Sequence, residues 1–259
     1  MMLRTVFTIG ALALVSHTAW ADEWTKHWSV SGKPELRVST GDASVVVEVG
    51  SDHSIDARLT TIGYPIGVTG VRIKERQVGD KVQIDVKVPS MHWSFSNHSI
   101  HLEIHVPREL IADLHTGDGS ISLRGLHGAL RADSGDGSIR GEDLDGTLDA
   151  NTADGSVHVT GRFDKLQLHT HDGSVEAVVR EGSHLDDDWR IQTGDGSVHV
   201  RVPKTLAADL EAHTGDGHIS VDLPGTSSRG EHSAQAQLNG GGHALVLRTG
   251  DGSITVSSL

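Results

Sequence analysis

A short turn recurs along this chain, and no other feature limits its fold as strongly. Thr116-Gly117-Asp118-Gly119-Ser120-Ile121 returns as Ser134-Gly135-Asp136-Gly137-Ser138-Ile139, then Thr152-Ala153-Asp154-Gly155-Ser156-Val157 and Thr170-His171-Asp172-Gly173-Ser174-Val175. Further copies are centred on Asp195, Asp216 and Asp251, and an early one, Thr40-Gly41-Asp42-Ala43-Ser44-Val45, on Asp42. From Asp118 through Asp136 and Asp154 to Asp172 the spacing is a constant 18 residues. A fixed period of this kind marks stacked repeats. We read all eight aspartates as structural turn residues. Glycine admits a tight corner. Aspartate accepts hydrogen bonds from the amides that follow it. Thr and Ser hydroxyls pair along the stack.

The apolar residues keep the same period. Ile121, Ile139, Val157, Val175, Val198, Ile219 and Ile254 follow the turns, and Leu130, Leu148, Leu166, Trp189, Leu210 and Leu245 precede them. Each unit therefore carries two short strands of period 2, with Leu126 and Leu144 marking a corner between them. One unit cannot bury its apolar face alone, whereas stacked units share a continuous core. The expected fold is all-β: a single-stranded parallel β-helix with rungs of about 18 residues. Parallel crossovers strongly prefer the right hand, so a right-handed coil is expected.

Residues 1–21 read as a secretory signal peptide, with Arg4, an apolar run from Val6 to Val15 and the small-x-small end Ala19-Trp20-Ala21. That run is too short to span a bilayer. Residues 22–35, with Trp24 and Trp28, form an N-terminal segment or cap, and 36–259 form the β-helix domain. Within it, 36–106 read as irregular rungs, with a hairpin at Gly79-Asp80 joining the strand of Val82–Val88 to Val71 and Ile73. Residues 89–99, with Trp93 and Phe95, read as a loop. The regular repeats occupy 107–259, and Gly225–Gly242 reads as a long loop and a second candidate cap. The last strand, Ser253–Leu259, has no evident cover, which points to end-to-end self-association.

Val106-Pro107-Arg108-Glu109-Leu110 and Val202-Pro203-Lys204-Thr205-Leu206, the Gly-Asp-Gly-Ser ladder, and Leu238-Asn239-Gly240-Gly241-Gly242 before a last strand pair resemble the bacterial putative adhesin family. This is a domain-of-unknown-function family of β-strand repeats, related to the head domains of autotransporter-type adhesins. The resemblance covers roughly 36–259 and implies a β-helix on an exported or envelope protein. It supplies no catalytic residues.

Charge and composition narrow the partners. A net charge of −13 argues against nucleic acid or an anionic membrane surface. With no cysteine, an exported chain must be held by packing and backbone hydrogen bonds. Aromatic residues are only 3%, which weakens any case for sugar-stacking subsites. The turn aspartates could gather calcium, but they stand three residues before the inward apolar position and repeat every 18, unlike the calcium β-roll. For zinc the candidate column is His158, Glu176 and His199 on three successive rungs. Asp186-Asp187-Asp188 is the local acidic break in the repeat, and it carries the alternative of a glycan-active β-helix enzyme. No P-loop, HExxH, CxxC, dinucleotide fingerprint or nucleophile elbow is present. The expectation is a non-enzymatic exported module, periplasmic or at the cell surface. It needs no cofactor, with calcium or zinc as the alternative, and binds an envelope protein or glycan. Function is expected where the turn departs from its pattern, at Ala43, His171 and His218.

Overall fold

The computed structural model describes residues 21–88, 98–223 and 226–259. Residues 1–20, which hold most of the expected signal peptide, and Trp93 and Phe95 lie outside it. The described chain is all-β and solenoid-like, with strands but no helix. The first seven strands are β1 (Ala21–Ser29), β2 (Glu35–Thr40), β3 (Ser44–Val49), β4 (Ser54–Ile62), β5 (Arg72–Val78), β6 (Lys81–Lys87) and β7 (Ser99–Val106). The middle of the chain forms β8 (Glu109–Thr116), β9 (Ile121–Arg124), β10 (His127–Ser134), β11 (Ile139–Asn151), β12 (Val157–His169), β13 (Val175–Val179), β14 (Trp189–Thr193) and β15 (Val198–Val202). The last six are β16 (Ala208–Asp216), β17 (Ile219–Asp222), β18 (Thr226–Arg229), β19 (Ser233–Leu238), β20 (Ala244–Asp251) and β21 (Ile254–Ser258).

Two ladders face each other across one core. The ladder before the turns runs β5-β6-β2-β8-β10-β11-β12-β14-β20-β16-β19-β18. The ladder after the turns runs β1-β4-β7-β3-β9-β11-β12-β13-β15-β21-β17. β11 and β12 serve both, because each continues around the corner that other rungs break. Their register slips there, between Gly141 and Leu144 and between Gly146 and Thr147. Leu126 and Leu144 are buried at that corner.

The period-2 reading places the inward residues well. Ile121, Ile139, Val157, Val175, Val198 and Ile254 are buried, as are Leu130, Leu148, Leu166, Trp189, Leu210 and Leu245. Each such side chain contributes roughly 1.5–3 kcal/mol of burial. Trp189 is the largest of them and meets Phe163 edge-on, with ring centroids 6.5 Å apart. Its Nε1 donates to the Asp164 carbonyl at 3.2 Å, so its one polar atom is satisfied.

The sequence order of the rungs is corrected at both ends. β2–β3 comes first in the chain, yet it lies between β6–β7 and β8–β9. β20–β21 comes last, yet it lies between β14–β15 and β16–β17. An uninterrupted parallel helix in sequence order is therefore not what forms. Antiparallel strands close three of the four ladder ends: β1 on β4 and β5 on β6 at one end, and β19 on β16 with β18 on β19 at the other, where β17 pairs in parallel with β21. The predicted hairpin at Gly79-Asp80 is present as β5–β6. The stretch expected to be a loop, Gly225–Gly242, contains the hairpin β18–β19. Ser253–Leu259 is not an uncovered edge, because β21 has a strand on either side.

Candidate functional site

The chemistry of the repeated turns is mostly internal to the stack. In each regular copy the leading Thr or Ser is buried. The Thr152 hydroxyl accepts the Gly155 amide at 3.3 Å and faces the Gly135 and Gly137 carbonyls of the previous rung at 3.0 and 2.9 Å. Thr116, Ser134 and Thr170 repeat the pattern. Threonine, rather than the aspartate expected, thus closes the turn and ties it to its neighbour. The outer serines form a second row, with Ser156 and Ser174 amides donating to Ser138 and Ser156 hydroxyls at 3.2 Å.

The second glycine is required by stacking. A Cβ on Gly155 would lie 2.2 Å from the Gly137 carbonyl oxygen, and one on Gly173 would lie 2.0 Å from that of Gly155. The series continues in stacking order, with Gly252 against Gly196 and Gly217 against Gly252. Ala43 stands in the first turn of this series, and on its far side β6–β7 has no Gly-Asp-Gly copy to stack on. His218 stands in the last turn, on the outermost parallel rung. Two of the three departures therefore mark the limits of the stack. His171 lies inside it, with its ring 3.5 Å from Asp172, as does Ala153 in the place of the first glycine.

Asp42, Asp118, Asp136, Asp154, Asp172, Asp195, Asp216 and Asp251 are all exposed. Their carboxylates do not come together in threes among the described residues. The zinc column forms as a register, His158 beside Glu176 and Glu176 beside His199. Its chemistry is a charge row. His158 Nε2 lies 3.2 Å from one Glu176 oxygen, and Arg201 donates to the other at 2.9 Å. His199 completes no three-ligand group with them.

The break between β13 and β14 brings together what the sequence kept apart. Asp164, His184 and Asp186 are the one group of three such side chains within 4.8 Å among the described residues. His184 Nδ1 is 3.3 Å from Asp164, and its Nε2 is 3.0 Å from Asp186. The two ring nitrogens thus face different carboxylates, the arrangement of an imidazole bridging two acids rather than of a chelate on one metal. Arg162 also grips Asp164 and Asp145, and these two carboxylates raise its pKa. The acidic run is equally engaged. Asp187 pairs with Lys165 at 2.6 Å, and this hydrogen bond holds its carboxyl below the usual range. Asp188 accepts the Ala244 amide at 3.0 Å. The three acids point to separate partners, which is not the facing pair that glycoside hydrolysis requires.

The outer faces carry ordered rows of charge. On one ladder Arg37, Asp113, Arg131, Asp149, Gln167 and Arg190 stand side by side on successive strands. A groove of about 330 Å³ follows this row, where the small Ala129 and Thr147 lie between Ile111 and Lys165. On the other ladder the row is His27, Asp56, His105, Glu48, Arg124 and Glu142. Burial pushes the Asp56 carboxyl up. Hydrogen bonds from Ser54 and His27, with the charges of His27 and His105, outweigh it, so its pKa falls below the usual value. The sequence showed these residues as alternating outward positions. What it lacked was the partner of each, since neighbours in a row come from strands far apart in the chain.

Three solved structures are similar over most of the chain. A putative cell adhesion protein from Clostridium sporogenes is 14% identical, covering 93% of this chain and 100% of that one, with a TM-score of 0.43. A putative lipid binding protein from Parabacteroides distasonis is 15% identical, covering 91% and 96%, with a TM-score of 0.47. A putative adhesin from Parabacteroides merdae is 12% identical, covering 92% and 96%, with a TM-score of 0.45. No curated protein matches the sequence. Residues 148–257, from the long strands to the inserted rung, match the family model Toastrack DUF4097, a domain of unknown function.

Proposed function

We propose that this chain is an exported, non-enzymatic binding module of the cell envelope that meets its partner through its charged outer faces. The partner class is a protein or glycan of the envelope or surface. A right-handed coil through the parallel rungs belongs to the same reading. The observation that carries it is the pair of charge rows on the outer faces, in which Arg37, Asp113, Arg131 and Asp149 alternate in sign on one ladder and Glu48, Arg124 and Glu142 on the other. Exposed ion pairs of this kind stabilise a fold by only about 0–1 kcal/mol each. Their alignment is thus worth little to folding, whereas it fixes a rigid pattern that a complementary surface can match.

The test has two arms. Cell fractionation should place the chain outside the cytoplasm, and a purely cytoplasmic chain would sink the export half. Immobilised chain should retain envelope material in a salt-sensitive way, because exposed charges are screened at a Debye length of about 3 Å in 1 M salt. Arg37→Gln with Arg131→Gln and Arg190→Gln should lose that retention while keeping the parent Tm. Equal retention by the variant would remove this face from the proposal.

A further inference from the structure

The last rung in the sequence fills a gap inside the stack. β19 and β20 flank β16 on its two sides, the first antiparallel and the second parallel. The chain therefore passes over the end of β16 to lay β20–β21 between rungs that are already complete. Its Leu245, Leu247, Ile254 and Val256 have no exposure. They pair with Trp189, Ile191, Val198 and Val200 on one side and with Leu210, Ala212, Ile219 and Val221 on the other.

The crossing is made by Asn239-Gly240-Gly241-Gly242-His243. The first four of these have φ of 46°, 91°, 77° and 150°, all on the left-handed side. Glycine adopts such values freely and extended ones equally well. Inside the bend the Gly241 amide donates to the Leu238 carbonyl at 2.9 Å, and the Asp209 amide donates to the His243 carbonyl at 3.1 Å. Asn239 Nδ2 donates to the Lys204 and Leu206 carbonyls at 2.7 Å, and the Gly242 amide donates to Asp209 at 3.3 Å. Straightened, five residues reach about 17 Å, against about 10 Å for two strand spacings.

We propose that β20–β21 is an exchangeable rung: a second copy of this chain can supply it, and two copies that trade it form a dimer. Every strand pairing is retained in the exchanged form, and only the glycine hinge changes shape. Folding order opens the opportunity. Middle rungs join neighbours 18 residues away, as Val157 does with Val175, whereas Val198 waits for Ile254. Long-range pairings form late because loop closure must precede them. Until then the gap accepts the same segment from either chain, a low-cost route to dimers.

The absence of cysteine makes a clean test. Arg201 and Ser257 are register partners on β15 and β21. Two single variants, Arg201→Cys and Ser257→Cys, are unfolded, mixed and refolded together under oxidising conditions. Exchange predicts a disulfide-linked heterodimer whose yield rises with protein concentration. It also predicts none when the two are folded first and mixed afterwards. Gly241→Val adds a second arm. A β-branched valine is strained at the φ of 77° that residue 241 holds in the bent hinge and is relieved in the straight one, so the heterodimer should rise about fivefold or more. Failure of the parent pair to cross-link after co-refolding at the highest soluble concentration overturns the proposal, whether or not the Gly241→Val chain folds. Equal heterodimer from separately folded chains overturns it as well, since the link is then mere collision.

Discussion

The middle of the stack and its two ends follow different rules. From β8 to β15 each rung rests on the one before it in the chain, every pairing is parallel, and the second turn glycine is kept throughout. At the ends the rungs are out of order, the outer strands other than β17 turn antiparallel, and the turn residues relax. A middle rung is specified by contact with a copy of itself. An end rung has no such copy on one side, so propagation must be stopped there. Open parallel edges would invite another chain. The exposed outer strand β5 carries Arg72, Lys74, Glu75 and Arg76, charges that discourage such pairing. Lys26 of β1 reaches Glu75 at 2.6 Å, and the Gln77 amide donates to Ser29, so the two outer strands also bind each other across the end.

This contrast can be broken at chosen points. The largest loss is expected for Trp189→Ala, because Trp189 fills the core beside Phe163 and against the inserted rung. About 3–5 kcal/mol should disappear from the urea-unfolding free energy. Gly155→Ala should cost about 2–4 kcal/mol, since its new methyl meets a backbone carbonyl that cannot move without disturbing the next rung. The matching change at the edge, Ala43→Gly, loses only one buried methyl and should cost about 1 kcal/mol or less. Comparable losses at 43 and 155 would show that turn stacking is not what separates middle from end.

Thr152→Val should cost about 1–3 kcal/mol, because it keeps the shape but leaves the Gly155 amide and the Gly137 carbonyl of the previous rung without their partner. The smallest effect is electrostatic and belongs to the N-terminal end. The Asp56 carboxyl titrates below its unfolded value, so its share of stability is present above about pH 4 and fades as pH falls through the lower folded value. Asp56→Asn should flatten the acid limb of a Tm-against-pH curve slightly, and an unchanged limb would remove His27 and Ser54 as the cause. Glu35, lowered chiefly by its hydrogen bond from Lys81, behaves with the same sign on the other ladder.

Much of the fold was legible in the residues. Ile121, Val157 and Val198 could be placed inward, and the hairpin at Gly79-Asp80 located, because alternation and turn preference act over a few residues. His158, Glu176 and His199 could be aligned because the repeat fixes their register. The candidate site was less legible. Nothing local says that Arg201 would take one oxygen of Glu176, or that His184 would stand between Asp164 and Asp186. The acidic run at 186–188 drew notice as a break in the repeat, but its partners Lys165 and Ala244 lie in other rungs.

The Thr-Gly-Asp-Gly-Ser turn by itself determined the unit: two strands, one inward row each, and a glycine wherever a neighbour's carbonyl must approach. Those are local demands, and every copy states them. For the same reason the sequence left open which copy rests on which. One Ile-or-Val row stacks on any other, and one glycine turn accepts any other. Only the tertiary structure chose to seat Gly252 on Gly196 and Gly217 on Gly252. It did so because the hairpin on β16 occupies the outer side, leaving the last rung a place within the stack.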